Sequence, residues 1–204
     1  MMRLYRLHRS TNVERVALAL AYKGVEVESV WVEPDDREPV EEVSGQPLVP
    51  VIEEDGEIVF DSTAILRYLE EHYPEPPLYP RDEARRAEMD IYIDWFNRVW
   101  KRSPIDLEAV FLRGQPDEDR VAALAEAMAT HLDFHEALLG GRNNVFGSEF
   151  SAADCAAFPF LKYALGRDPG DEELFHRILD DYQSTTGRPR LRAWIERIDE
   201  RPRV

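Results

Sequence analysis

Hydroxyl residues stand at two predicted helix starts, where a hydroxyl and the unpaired backbone N–H groups could bind an anion. Ser10 and Thr11 lie between a short apolar strand and an amphipathic helix, and Asp61 and Ser62 precede another helix. A helix N-terminus favours anions because its first backbone N–H groups lack partners within the helix. The same residue types are also the commonest helix caps, so capping alone is the competing interpretation at both positions.

The histidines and the single cysteine offer less chemistry. His131 and His135 are four residues apart on a predicted helix, a spacing that could bring two imidazoles to one metal. No third ligand is evident nearby, so we predict no metal site and interpret both as surface histidines. Cys155 is the only cysteine, which excludes an intrachain disulfide and a C-x-x-C redox pair, and we expect it to be buried and inert.

The elements around Ser10 have the periodicity of an α/β structure. The pattern predicts a strand over 2–7, a helix over 12–23 that ends at Gly24, and a valine-rich strand over 25–32. A loop that contains Pro34 and Pro39 is expected next.

A hairpin then leads to Asp61. Pro50 begins one strand, Asp55–Gly56 has the left-handed tolerance that a two-residue turn requires, and Phe60 closes the second strand. The helix that follows has an apolar face formed by Ile65, Leu66 and Leu69.

Prolines between residues 74 and 80 are too dense for a helix or sheet interior, so this stretch is predicted to link two domains. The predicted domains are an α/β domain over 1–76 and an all-helical domain over 83–204. Ser151 and Asp154 have the spacing of a capping box. Helices are predicted over 83–101, 117–139, 151–165, 171–184 and 191–200, with Pro104 and Pro116 as breaks.

Charge and hydropathy exclude several function classes. A formal net charge of -16 repels polyphosphate, and no cluster of basic and aromatic residues offsets it, so nucleic-acid binding is not expected. No apolar run approaches the roughly 20 residues that cross a bilayer, and the N-terminus lacks the apolar middle of a secretory signal. We therefore expect no membrane partner and a cytoplasmic location.

The order proline, strand, hairpin, strand, acid–Ser and helix resembles the glutathione-binding half of the thioredoxin-like domain in the glutathione S-transferase superfamily. The segment FGSEFSAADCAAFPFL resembles the capping-box segment of the family's C-terminal domain, so the resemblance spans nearly the whole chain. It implies a thioredoxin-like N-terminal domain followed by an all-α C-terminal domain. It also implies glutathione as co-substrate, a small electrophile as second substrate, no metal, and a homodimer formed through the helix after Asp61–Ser62 and the first long helix of the bundle.

The motif Arg9-Ser10-Thr11, with Arg15 downstream, resembles the serine-type bacterial members, which implies that Ser10 stabilises the thiolate of glutathione. Lowering a thiol pKa of about 8.5 by two units takes about 2.7 kcal/mol. A charge-assisted hydrogen bond contributes about 1.5–3 kcal/mol and a helix N-terminus about 0.3–2 kcal/mol, so one hydroxyl at this position is sufficient. Thr11 is the second candidate, and Tyr5 is a rival that is better interpreted as a packed residue.

The resemblance also assigns the binding residues. Val49, before a cis Pro50, would pair through its backbone with the cysteinyl part of the ligand. Ser62 would hold the γ-glutamyl carboxylate, and Asp61 would face the ligand's amino group. The electrophile is expected in the cleft between the domains, against the aromatic helix segment 95–100, although most aromatic residues of that segment are expected in the bundle core.

One residue departs from the family pattern. Leu48 stands where many relatives have a polar residue that contacts the ligand's peptide backbone or terminal carboxylate. Gln46, Arg9 or Arg37 would have to substitute, or the natural thiol is a different small molecule. Two further alternatives stay open: a thiol-dependent cis-trans isomerase of the zeta type, whose Arg-Ser-Ser is similar to Arg9-Ser10-Thr11, and a binding or stress-response module without turnover.

Overall fold

A four-stranded mixed sheet organises the N-terminal part of the chain. The computed structural model describes residues 1–114 and 116–204. Strand β1 runs parallel to β2 and antiparallel to β3, and β3 and β4 form the predicted hairpin, in which Asp55 and Gly56 both have positive φ. The sheet order is β2-β1-β3-β4, with β1 at Met2–Arg6, β2 at Val27–Trp31, β3 at Val51–Glu54 and β4 at Glu57–Phe60.

Three helices accompany this sheet: α1 (Thr11–Lys23), α2 (Glu38–Ser44) and α3 (Ser62–His72). The prediction of a loop around Pro39 was wrong, because Pro39 lies in the first turn of α2. Proline is tolerated there since the first helical N–H groups have no partner within the helix. Gly45 ends α2 in the left-handed conformation.

The rest of the chain is helical. The predicted break at Pro104 was wrong, because the helix passes through a π-helical turn over Phe96–Trp100 and continues into a further helix whose first turn contains Pro104. The helices are α4 (Glu83–Trp95), α5 (Arg102–Leu112), α6 (Glu118–Leu138), α7 (Ala152–Leu161), α8 (Leu174–Asp181) and α9 (Pro189–Asp199). Within the described residues, no helix combines the length and the apolar character needed to cross a membrane.

These elements form two compact units, one of residues 1–86 and 201–204 and the other of residues 87–200. The architecture confirms the predicted thioredoxin-like part followed by an all-α part. The extents 1–76 and 83–204 remain proposed folding domains.

A buried carboxylate joins three segments of the second unit. Asp154 accepts hydrogen bonds from the backbone N–H groups of Val145 and Ser151, from Ser151 Oγ and from Trp194 Nε1, at 2.7–2.9 Å. Burial raises the pKa of Asp154, and these hydrogen bonds oppose that shift. The capping box is confirmed, and Cys155 beside it is buried as predicted.

Candidate functional site

The strand register brings three chain segments to one edge of the sheet. Tyr5, near the end of β1, pairs with Val51 at the start of β3, and Val51 pairs with Phe60 at the end of β4. Whatever follows β1, precedes β3 or follows β4 therefore lies at this edge. The segments in question contain Ser10 with Thr11, Val49 with Pro50, and Asp61 with Ser62.

Ser10 is the N-cap of α1, as the capping interpretation predicted. Its backbone is extended, and its Oγ accepts a hydrogen bond from Val13 N at 3.4 Å. A hydroxyl that caps through a lone pair retains its proton for another acceptor. Ser10 is half-buried and Thr11 is buried as the first residue of α1, so Ser10 is the more accessible of the two candidates.

Tyr5 is a packed residue, as predicted. Its ring is buried with Val32, Val40 and Val51, and its hydroxyl donates to Glu53 Oε2 at 2.9 Å. Burial and this bond raise the pKa of Tyr5. A phenol that is held protonated and bonded to a carboxylate has no proton to spare for a thiolate.

The Val49–Pro50 peptide bond is cis, as the resemblance implies. Neither the N–H nor the C=O of Val49 bonds to another of the residues that the structure describes, so both are available to an added strand. The side chain of Leu48 is 72% exposed.

The amide of Gln46, one of the three substitute ligand contacts that the sequence left open, is hydrogen-bonded within its own loop. Its Oε1 accepts from Leu48 N at 2.7 Å, and its Nε2 donates to Leu48 O and to Ser44 Oγ, both at 2.9 Å. Both N–H bonds of the amide are therefore committed to this loop. Arg9 and Arg37 remain as the other two candidates.

Asp61 and Ser62 open α3. Asp61 has a positive φ of 70°, uncommon for a residue with a side chain, and its Oδ1 accepts from Thr63 N at 2.9 Å and Ala64 N at 3.0 Å. Ser62 is buried, and its Oγ accepts from Arg15 Nη1 at 3.3 Å. Its own backbone N–H has no acceptor among residues 1–114 and 116–204.

Sequence reasoning missed the role of several residues at this edge. Arg15 belongs to the motif that resembles the family, but its spacing did not indicate that its guanidinium is buried against Ser62. Trp31 stacks with His8, at 4.0 Å between ring centroids, and the guanidinium of Arg6 lies over the Trp31 ring, 4.4 Å from its centroid. No sequence pattern signals this stack, because it depends on the parallel pairing of Arg6 with Trp31.

His135 corrects the interpretation of surface histidines. It is fully buried, with Nε2 2.8 Å from Tyr92 Oη and Nδ1 2.7 Å from the backbone oxygen of His131. Both ring nitrogens are thus in hydrogen bonds within the bundle. Burial lowers the pKa of His135 to about 4, so the ring is neutral near neutral pH.

An apolar cavity of about 570 Å³ lies between α4 and α6 in the second unit. Trp95, Tyr92 and Phe134 line it, together with His131 and the 70% exposed Ile91. Most aromatic residues of segment 95–100 were expected in the bundle core, and Phe96 and Trp100 are core residues, with their ring centroids 4.5 Å apart.

One group of potential metal ligands occurs in the part of the chain that is described. Asp171, Glu173 and His176 bring their ligand atoms within 4.8 Å of one another. His176 Nδ1 lies 2.8 Å from Asp171 Oδ2, and Asp171 Oδ1 accepts from Glu173 N at 3.3 Å. These hydrogen bonds hold the chain together at the start of α8, so the three residues are close for a structural reason. The absence of a metal stays a prediction.

Known proteins resemble both parts of this chain. The family models for the glutathione S-transferase N-terminal domain and C-terminal domain match residues 4–77 and 118–197. Glutathione S-transferase GstB of Escherichia coli K12 is 28% identical over 214 residues, with 100% of this chain and 96% of GstB covered. Maleylacetoacetate isomerase of Pseudomonas aeruginosa is 41% identical over 93 residues, which cover 42% of this chain and 44% of the isomerase.

A solved structure gives the same result. The crystal structure of a glutathione S-transferase from Rhodospirillum rubrum F11 superimposes with a TM-score of 0.77 at 30% identity, covering 99% of this chain and 89% of that chain. The two family models together match most of the chain. The fold and the arrangement of segments at the sheet edge agree with what the resemblance implies. The chain belongs to the glutathione S-transferase superfamily.

Proposed function

We propose that the protein is a cytoplasmic, serine-type glutathione transferase. In this proposal the first unit binds glutathione or a similar low-molecular-weight thiol, and Ser10 donates a hydrogen bond to the sulfur and stabilises the thiolate. The thiolate attacks an electrophilic carbon of a small molecule, a carbon–sulfur bond forms, and the leaving group departs with its electron pair. The protein supplies no nucleophile, and no metal takes part.

The single observation that carries this proposal is the common sheet edge. The strand register brings three features to this edge. They are a donor hydroxyl at Ser10, unpaired backbone groups at Val49 and a polar helix start at Asp61–Ser62. A γ-glutamyl-cysteinyl thiol needs these three features in that combination: a partner for the sulfur, an extended backbone to pair with, and groups for the amino acid head.

Leu48 bears on the identity of the thiol. Its exposed apolar side chain, and the commitment of Gln46 to the loop backbone, leave the glycyl carboxylate of glutathione without a contact from either residue. The proposal therefore places recognition at the γ-glutamyl and cysteinyl parts of the ligand, and it assigns no contact with the glycyl carboxylate to Arg9 or Arg37. A thiol that shares only those parts should bind nearly as well as glutathione.

A thermal-shift panel tests the binding step. Glutathione, γ-glutamylcysteine, cysteine and other biological thiols are compared at equal concentration, since a ligand that binds only the folded state stabilises it by about 2.7 kcal/mol at a hundredfold excess over Kd. We expect a rise in Tm with glutathione and γ-glutamylcysteine and none with cysteine. Ser62→Ala should reduce the rise, and Ser148→Ala, an exposed serine of the second unit, is the matched control. No shift with any thiol would refute the proposed function.

A zeta-type isomerase is the second candidate, favoured by the similarity of part of the chain to maleylacetoacetate isomerase. There the thiolate adds to a cis double bond, rotation follows, and elimination releases the same thiol. The fate of the thiol separates the reactions. A transferase consumes one thiol per product, whereas an isomerase returns it, so titration of free thiol during turnover of a cis-enone and an activated aryl halide distinguishes them. Thiol binding without turnover of either substrate would favour a non-catalytic binding module.

We also propose a homodimer formed through α3 and α4, with a second copy covering the apolar face of α4. Ile91 on α4 and Phe134 on α6 are exposed beside the apolar cavity. Members of the family form dimers, and an exposed apolar surface next to a cavity is typical of an association site. Sedimentation should give twice the mass of one chain, and Ile91→Glu should give the single-chain mass. A wild-type protein that sediments as one chain would refute the dimer.

A further inference from the structure

We propose that Arg15 is a positioning residue for ligand binding: its buried guanidinium orients the Ser62 hydroxyl and supplies the positive charge for a carboxylate at the start of α3. This role rests on the proposed thiol-binding function. Arg15 is on the second turn of α1, and α1 would therefore take part in ligand recognition as well as α3.

The start of α3 does not bind an anion well by itself. The Asp61 carboxylate already accepts from Thr63 N and Ala64 N, the donors that a helix N-terminus would otherwise offer. Its negative charge also opposes the positive end of the helix dipole. A ligand carboxylate that arrives here therefore has only the Ser62 backbone N–H and hydroxyl as donors from α3, and it needs positive charge from another element.

Arg15 meets that need. Its side chain is 1% exposed, and its Nη1 lies 3.3 Å from Ser62 Oγ, within the same unit. An arginine stays protonated at every relevant pH, and a buried charge is tolerated only where it interacts with other groups. The guanidinium is thus a permanent cation directly behind the first residue of α3.

The direction of the Ser62 hydroxyl follows from the same contact. A guanidinium can only donate, so Ser62 Oγ must accept from it, and the Ser62 proton is left for a different acceptor. The backbone N–H of Ser62 also has no acceptor among the described residues. Ser62 can therefore present two donors to one carboxylate, while the exposed Asp61 carboxylate faces an ammonium group. This arrangement fits the α-amino acid head of a γ-glutamyl thiol.

The test compares two ligands on three proteins by calorimetry. The ligands are glutathione and γ-aminobutyryl-cysteinyl-glycine, which lacks only the α-carboxylate of the γ-glutamyl residue. The proteins are the wild type, Arg15→Met, which keeps much of the side-chain volume without the charge, and Arg15→Lys, which keeps the charge. We expect Arg15→Met to weaken glutathione by about 10- to 100-fold, the range of a lost charge-assisted bond, and to leave the analogue unchanged. Arg15→Lys should recover part of the loss.

Other outcomes overturn the role. Equal weakening of both ligands by Arg15→Met would show a structural effect only, and undiminished glutathione affinity would show no role. If Arg15→Met does not fold, Arg15→Lys and Ser62→Ala carry the comparison, and a loss that is equal for both ligands again refutes it. Wild-type protein that binds neither ligand would refute the proposed function itself. The variants test only the role of Arg15. The ultraviolet absorbance of the bound thiolate should titrate at the same pH in wild type and Arg15→Lys, because Ser10 controls that step.

Discussion

Lys23 Nζ lies 2.9 Å from Glu70 Oε2 and joins α1 to α3 inside the first unit. The Lys23 side chain is 0% exposed, and its ammonium also donates to the backbone oxygens of Tyr73 and Pro76. Glu70 in turn accepts from Leu78 N at 2.8 Å. The pair therefore fixes the proline-rich segment that follows α3.

Removal of one partner should be costly. Lys23→Met leaves the Glu70 carboxylate, whose side chain is only 11% exposed, without its cation, and we expect a loss of about 3 kcal/mol in the free energy of unfolding. The double variant Lys23→Met/Glu70→Gln should recover part of this loss, because the amide oxygen still accepts from Leu78. Urea denaturation measures both. The exposed pair Arg192–Glu196 is the control, and Arg192→Met should change stability by less than about 1 kcal/mol. Equal effects of Lys23→Met and Arg192→Met would contradict the assignment.

Ser10→Ala should separate binding from activation. One charge-assisted hydrogen bond of about 1.5–3 kcal/mol corresponds to one to two units in the pKa of the bound thiol, so turnover at neutral pH should fall about 10- to 100-fold. Affinity for the protonated thiol should change little. The measurement is the pH dependence of turnover together with the ultraviolet absorbance of the bound thiolate. Thr11→Val removes the second candidate hydroxyl and keeps the side-chain shape, so it is the matched comparison. A larger effect there than at Ser10 would move the activating role to Thr11.

His135 should make stability depend on pH in the acid range. Because burial lowers its pKa from 6.5 to about 4, the unfolded chain binds a proton between these values and the folded protein does not. Stability from this group is therefore fully present above pH 6.5 and is lost as pH falls toward 4, by on the order of 3 kcal/mol in all. Urea denaturation between these pH values measures the slope. His135→Gln should be less stable at neutral pH but show a flatter slope, and an unchanged slope would refute the assignment.

Asp154 should be essential to the second unit. Asp154→Ala leaves four buried donor bonds without an acceptor, and we expect a loss of about 3–5 kcal/mol in the free energy of unfolding. Asp117, the exposed N-cap of α6, is the matched control, since Asp117→Ala removes an ordinary cap worth about 1 kcal/mol. Thermal unfolding followed by circular dichroism compares the two. Similar losses at both positions would contradict a central role for Asp154.

Local signals predicted most of the fold. The hairpin follows from Asp55–Gly56, and the end of α1 follows from Gly24. These residue types tolerate the positive φ that each position has. Pro39 and Pro104 misled the prediction, since proline in a first helical turn and proline as a helix breaker look the same in sequence. The two cases differ in the backbone conformation of the residues that precede the proline, and this conformation depends on tertiary packing.

The candidate site was predicted in part. Helix-cap chemistry at Ser10 and Asp61 is local and could be read from residue types. The burial of Arg15 against Ser62 could not, because it depends on the packing of α1 on α3. The burial of His135 could not be predicted either. Its hydrogen-bond partner Tyr92 is 43 residues away in sequence, and the two side chains meet only in the folded bundle.

Residues 201–204 pack with the first unit although they end the described chain. Arg6 donates to Val204 O at 2.8 Å, and Arg203 pairs with Glu14 at 3.0 Å, so the tail is held by the strand and the helix on either side of Ser10. A fragment cut after residue 86 would lose these bonds and leave Arg6 and Glu14 without them. Any attempt to study the sheet in isolation should therefore splice the tail onto it, since the sheet unit is built from two separated stretches of the polypeptide.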